Sequence, residues 1–141
     1  MTDSQSYPCP GPLYQAKHNT FMNRLFALHT ALTASGIPFR AVSYVRTFSE
    51  QARLYASGRT TPGPIRTNAK PGFSPHNYGL ARDYMLFRSG VPVNDPSDPL
   101  WLDFEAVVQS VGLMTGRNFK GLCDAGHVQL KTWRQAVQWK P

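Results

Sequence analysis

A single aspartate interrupts an otherwise apolar, β-forming run, Leu80-Ala81-Arg82-Asp83-Tyr84-Met85-Leu86-Phe87. Alternation along residues 80–87 puts Ala81, Asp83 and Met85 on one face and Leu80, Arg82, Tyr84 and Leu86 on the other. A carboxylate held in the middle of such a strand needs a cation, a hydrogen-bond network or a metal. Any fold this chain adopts must therefore bring Asp83 a partner.

Two histidines are placed to serve. His76 ends a Gly- and Pro-rich segment, residues 58–79, too long to be idle in a compact domain. His127 opens the run Gly126-His127-Val128-Gln129-Leu130-Lys131, which alternates as another strand with His127 and Gln129 on one face. Two imidazoles and a carboxylate suit zinc and leave its fourth position open for water. Such water loses a proton near neutral pH and can attack a carbonyl. Asp124, just ahead of His127, would stand beside the metal and move a proton between water and leaving group. Arg46 could bind a substrate carboxylate or steady an oxyanion. The spacing of His76 and Asp83 matches no helical zinc motif. A plainer assignment stays open: His76 as a loop cap, Asp83 paired with Arg82 or Arg46, and His127 as a core histidine.

The remaining pattern predicts a scaffold. Phe21, Leu25, Leu28 and Leu32 form one face of a helix from Tyr14 to Ser35, stopped by Gly36 and Pro38. His18 and His29 on it read as surface or packing groups. Residues 39–46 are rich in β-formers. Thr47 and Glu50 have capping-box spacing for a short helix, Ser49 to Ser57, with Leu54 and Tyr55 facing inward and Gly58 ending it. Asp98-Pro99 starts another helix, with Leu100, Phe104, Val107, Val108 and Val111 as its apolar face and Gly112 as its cap. A short closing helix around Trp133 and Trp139 is expected. Residues 1–13 read as an irregular lead-in to one domain spanning 14–141. Helices and strands do not alternate regularly, so the expected class is α+β: a small antiparallel sheet flanked by two or three helices.

The 141 residues suit one domain. No stretch approaches a membrane span. The polar start, Met1 to Pro12, lacks the form of a secretory signal, so the expectation is synthesis in the cytoplasm and release by another route. The net charge of +7 favours anionic partners, either nucleic acid or a wall carrying anionic polymers. The charge alone does not choose between them; the basic residues are scattered with no tight block, a plain soluble basic surface fits as well, and no nucleic-acid partner is expected. Cys9 and Cys123 form no disulfide framework, and Cys123 reads as a small buried hydrophobe.

Ser74-Pro75-His76-Asn77-Tyr78-Gly79-Leu80-Ala81-Arg82-Asp83 closely resembles the SxHxxGxAxD signature of the D-Ala-D-Ala carboxypeptidase and L-alanyl-D-glutamate peptidase family. Asp124-Ala125-Gly126-His127 matches its DxxH signature. Ser43 to Gln51, Leu54-Tyr55 and Gly58-Arg59-Thr60 resemble the family's opening strand and helix. Pro62-Gly63, Thr67-Asn68-Ala69 and Pro71-Gly72 look like the loop of its phage-endolysin branch. The resemblance covers about Phe39 to Leu130. It implies one zinc ion on His76, Asp83 and His127, with Asp124 as acid and base. Arg46, Ser74 and Gln51 would be on the substrate side. The implied partner is bacterial peptidoglycan, met by a monomer after holin-type release or secretion. The implied reaction is hydrolysis of the stem's L-Ala–D-Glu bond. The alternatives are a D,D-carboxypeptidase or dipeptidase, or a non-catalytic zinc-containing wall-binding module. Arg82, Met114-Thr115-Gly116, Val128 and Gln129 depart from the family's usual residues. These departures bear on specificity rather than on the metal positions.

Overall fold

The computed structural model describes residues 8–43 and 45–138. In chain order these form β1 (Cys9–Pro10), α1 (Tyr14–Ala34), β2 (Phe39–Ala41), α2 (Phe48–Ala56), a 3-10 turn (Pro75–Tyr78), β3 (Ala81–Arg88), β4 (Val91–Pro92), α3 (Pro99–Ser110), β5 (Met114–Gly116), β6 (Asp124–Gln129), a second 3-10 turn (Trp133–Ala136) and β7 (Val137–Gln138). The main sheet is antiparallel in the order β2-β3-β6-β5, and β4 pairs with the far end of β3. The three helices and this sheet make the expected α+β domain.

α1 earns its place through one stripe, because its N-cap residue Leu13 makes no side-chain cap. Phe21, Leu25, Leu28 and Leu32 are all buried. Each contributes roughly 1.5–3 kcal/mol by leaving water. They pack with Tyr84, Leu86 and Val128 of the sheet and with Phe104 and Val108 of α3 in one core. α3 is capped as its sequence predicts: Asp98 accepts from the Leu100 amide at 2.9 Å, with Pro99 in the first position. Trp101 joins Phe104 and Val108 on its buried face. Among the described residues, no helix is long and apolar enough to cross a membrane.

Several expectations need correction. The strand over 39–46 is shorter, ending at Ala41. The Val42 amide still bonds the Asp83 carbonyl at 2.9 Å, after which the chain leaves the sheet. Tyr44 lies outside the described residues, as do 1–7 and 139–141. The lead-in is not wholly irregular, since Cys9 and Pro10 pair antiparallel with Gln138 and Val137. That pairing replaces the expected closing helix with a 3-10 turn and a strand, and Trp139 falls outside the described residues. The Thr47–Glu50 capping box forms, but α2 turns Gln51 inward and leaves Leu54 and Tyr55 half-buried. A short helix packed on a polar loop needs an inward amide more than an apolar group. Cys123 is exposed, because it sits in the turn before β6 rather than in the core.

Candidate metal centre and active site

Sheet register builds the site. Asp83 in β3 stands directly opposite His127 in β6. The strand face that carries Asp83 thus meets the face that carries His127 and Gln129. His76 arrives from the 3-10 turn before β3. Ser74 caps that turn, its hydroxyl accepting from the His76 amide at 3.2 Å. Gly79 ends it with φ at +68°, a conformation that reverses the chain into β3 and favours glycine. Asn77 ties the turn down. Its side-chain oxygen accepts from the Gly72 amide at 3.0 Å and its nitrogen donates to the Arg46 carbonyl at 3.0 Å. The Arg46 amide in turn donates to the His76 carbonyl at 2.9 Å. Arg46 has left the sheet yet stays locked beside His76.

Three donor atoms converge. His76 Nε2 lies 3.1 Å from His127 Nδ1 and 3.3 Å from Asp83 Oδ1, and His127 Nδ1 lies 3.6 Å from the same oxygen. Ligands about 2.0–2.2 Å from a tetrahedral zinc ion stand roughly 3.4 Å apart, so the three residues fit that ion closely. His127 Nε2 donates to Gln129 Oε1 at 2.8 Å, which leaves the lone pair of a neutral ring on Nδ1, facing the other two donors. His76 Nδ1 is buried with no hydrogen-bond partner. Burial also lowers the His76 pKa, keeping the ring neutral and able to donate a lone pair. Burial works against the charge of Asp83, but the two imidazoles beside it outweigh that and hold the carboxyl well below its usual range. The Asp83 amide donates to the Ser43 hydroxyl at 2.8 Å, which braces the strand at this point.

Asp124 begins β6 on the wall of the cleft above these donors. Burial pushes its carboxyl above the ordinary value. The cleft, of about 820 Å³, also holds Arg46, Ser74, His76, His127 and Gln129 on its walls. A smaller one of about 280 Å³ contains Asp83, Cys123 and Gly126, and Asp124 borders both. Arg46 Nη2 sits 3.8 Å from Asp83 Oδ2 and its Nη1 donates to Gln51 Oε1 at 2.9 Å.

His76, Asp83, His127, Asp124, Arg46 and Ser74 are thus brought together. Gln51 differs from the expectation of substrate contact: it is fully buried, does not border the cleft, and spends its amide on Arg46, Thr67 and Ala69. His18 stacks on Tyr14, and His29 lies 2.6 Å from the Tyr84 hydroxyl, both away from the centre. Gln129, Asn77, Ser43 and Phe119, whose ring lies 5.2 Å from that of His127, escaped the sequence reading. Only the shared strand face of His127 and Gln129 gave a signal for one of them. Gly126 matters sterically: a Cβ there would overlap the Tyr84 carbonyl oxygen in β3.

The family described as VanY, D-alanyl-D-alanine carboxypeptidase, matches residues 15–93. Peptidoglycan L-alanyl-D-glutamate endopeptidase CwlK of Bacillus subtilis (strain 168) is 32% identical over 136 residues, covering 89% of this chain and 78% of that protein. The Serratia marcescens L-Ala D-Glu endopeptidase ChiX superposes with a TM-score of 0.60 at 20% identity, over 89% of this chain and 91% of that one. VanYB in complex with D-Alanine-D-Alanine gives 0.55 at 21% identity, over 82% and 72%. The two structural likenesses carry the fold, and the first two matches carry the lineage: this chain belongs to the VanY, D-alanyl-D-alanine carboxypeptidase, family.

Proposed function

We propose that this protein is a zinc-dependent peptidase that hydrolyses the L-Ala–D-Glu bond of peptidoglycan stem peptides, in the manner of an endolysin acting on the wall after release or secretion. The observation that carries the reading is the convergence of His76 Nε2, Asp83 Oδ1 and His127 Nδ1 at 3.1–3.6 Å, beside a cleft whose wall holds His76, His127 and Asp124. The choice of bond is supported by the 32% identity to CwlK.

Zinc bound by His76, Asp83 and His127 would polarise the scissile carbonyl and acidify a water molecule. The chain's own residues do the rest. Asp124, its carboxyl raised by burial, takes a proton from the attacking water and delivers it to the departing amine. Arg46 faces the developing negative charge, held in place by Gln51. Gln129 keeps the His127 ring in one tautomer and orientation. The cleft walls orient the stem and exclude bulk water.

A second reading, release of terminal D-Ala by D,D-carboxypeptidase action, is favoured by the description of the family itself. Mass spectrometry of purified peptidoglycan digested with and without chelator separates the two. New D-Glu amino termini, formed only without chelator, are the expected result. Release of D-Ala alone would assign the second reading. No cleavage by folded, zinc-loaded protein would leave a wall-binding module.

A further inference from the structure

Six cations line the main cleft: Arg46, Arg66, Lys70, Lys120, Lys131 and Arg134. Among the described residues, Asp124 is the one carboxylate on its wall. Apart from Arg46, these cations come from three separate segments. Arg66 and Lys70 lie on the loop after α2, Lys120 on the turn before β6, and Lys131 and Arg134 follow β6. They therefore converge on one space and do not form a single solvated helix face.

The segments are also held in place. The Asn68 side chain donates to the Lys120 carbonyl at 3.1 Å, joining the two loops across the cleft. Arg59 donates to the Thr67 carbonyl at 3.0 Å and Gln51 to the Ala69 carbonyl at 2.8 Å. A concave site lined by one sign of charge focuses its field on whatever enters.

Resting on the peptidase reading above, we propose that this cleft selects stem peptides whose acidic groups are free carboxylates and discriminates against the same stems when amidated. The chemistry places such a group close to the reaction. At an L-Ala–D-Glu bond the glutamate continues the stem through its side-chain carbonyl, so its α-carboxyl stays off the chain. That carboxyl is attached to the carbon bearing the scissile nitrogen. With the D-Glu side of the bond in the main cleft, whose wall carries His76 and His127, this carboxylate lies within the cation-lined space. Amidation removes the charge and turns one acceptor oxygen into a donor while leaving the shape nearly unchanged, and the salt dependence of the difference isolates the charge.

The test uses the zinc-loaded full chain and two synthetic stems that differ only in D-Glu against its α-amide. kcat/KM is measured at low and moderate salt, and binding of both stems is titrated on the Asp124→Ala protein. The acidic stem should be preferred on the order of tenfold in kcat/KM and in affinity, as expected for a charge-assisted contact. The preference should shrink as salt screens it. The triple variant K70Q/K120Q/K131Q should narrow the ratio with zinc content and melting temperature unchanged. Equal kcat/KM and equal binding for the two stems, with cleavage intact, would overturn the selectivity. Neither stem bound nor cut by folded, zinc-loaded protein would instead remove the peptidase reading, and the selectivity with it.

Discussion

Gln51 clamps Arg46: its Oε1 accepts from the Arg46 guanidinium at 2.9 Å while its Nε2 donates to the Ala69 carbonyl at 2.8 Å. One buried amide thus sets both a cleft cation and the loop opposite it. Gln51→Leu strands the Ala69 carbonyl and frees Arg46. Stability should fall by about 1 kcal/mol, the lower end for a group left unsatisfied, because Ala69 is only half-buried. kcat/KM per folded, zinc-loaded molecule should fall roughly tenfold or more, the loss of an aligned transition-state contact. Gln51→Glu keeps the acceptor for Arg46 and should recover turnover more than stability. Unchanged turnover in Gln51→Leu would show that the clamp has no bearing on reaction.

Asp124→Ala should keep zinc content and melting temperature and lose turnover by about 10²–10⁴-fold, the usual worth of a positioned acid–base group. Metal analysis beside the digestion assay checks it. Surviving activity would assign the proton transfer elsewhere.

His76→Ala should release zinc and lower the melting temperature to that of chelated wild type, since metal binding adds to folding free energy. Gln129→Leu touches no donor, but it removes the acceptor from His127 Nε2. It should weaken zinc affinity by about 10–100-fold. Competition with a colorimetric chelator measures both. Full zinc retention in His76→Ala would refute the three-donor site.

Acid should destabilise the protein. Burial holds the His76 pKa below 6.5. Its contribution is therefore complete above that value and is lost as pH falls below it, where the unfolded chain takes up a proton that the native ring resists. Asp83, also lowered, contributes above the ordinary 3.8 and loses that contribution only in stronger acid. The chelated protein should therefore melt lower at about pH 5.5 than at about pH 7.5. Loss of zinc should follow the same direction, because protons and metal compete for one nitrogen. A flat melting temperature across that range would contradict the buried, neutral His76.

The donors were legible because the fold's demands and the chemistry coincide on them. Asp83 is conspicuous in an apolar strand, and His127 alternates into the same face. The apolar stripe of α1 and the caps of α2 and α3 are local signals, readable within a turn or two of chain. What stayed hidden depends on contacts distant in sequence. β1 and β7 form only because residues 9–10 and 137–138 meet. β5 is three residues long, too short for periodicity to reveal. Gln51 reads as a substrate-side group in the sequence because its true partners lie 5, 16 and 18 residues away, on segments with no pattern of their own. Gln129 read as a departure from the family pattern, although in space it is the group that orients His127.

The bare backbone at Gly126 acts as a spacer gauge for the whole centre. β3 and β6 approach so closely there that a methyl group would collide with the Tyr84 carbonyl. Asp83 and His127 face each other across that same gap one residue along. Any side chain at 126 would wedge the strands apart and spread the donors beyond the reach of a single small ion. The three-donor arrangement can therefore be dismantled by a residue that carries none of the donors, and its dimensions are written into the absence of one carbon.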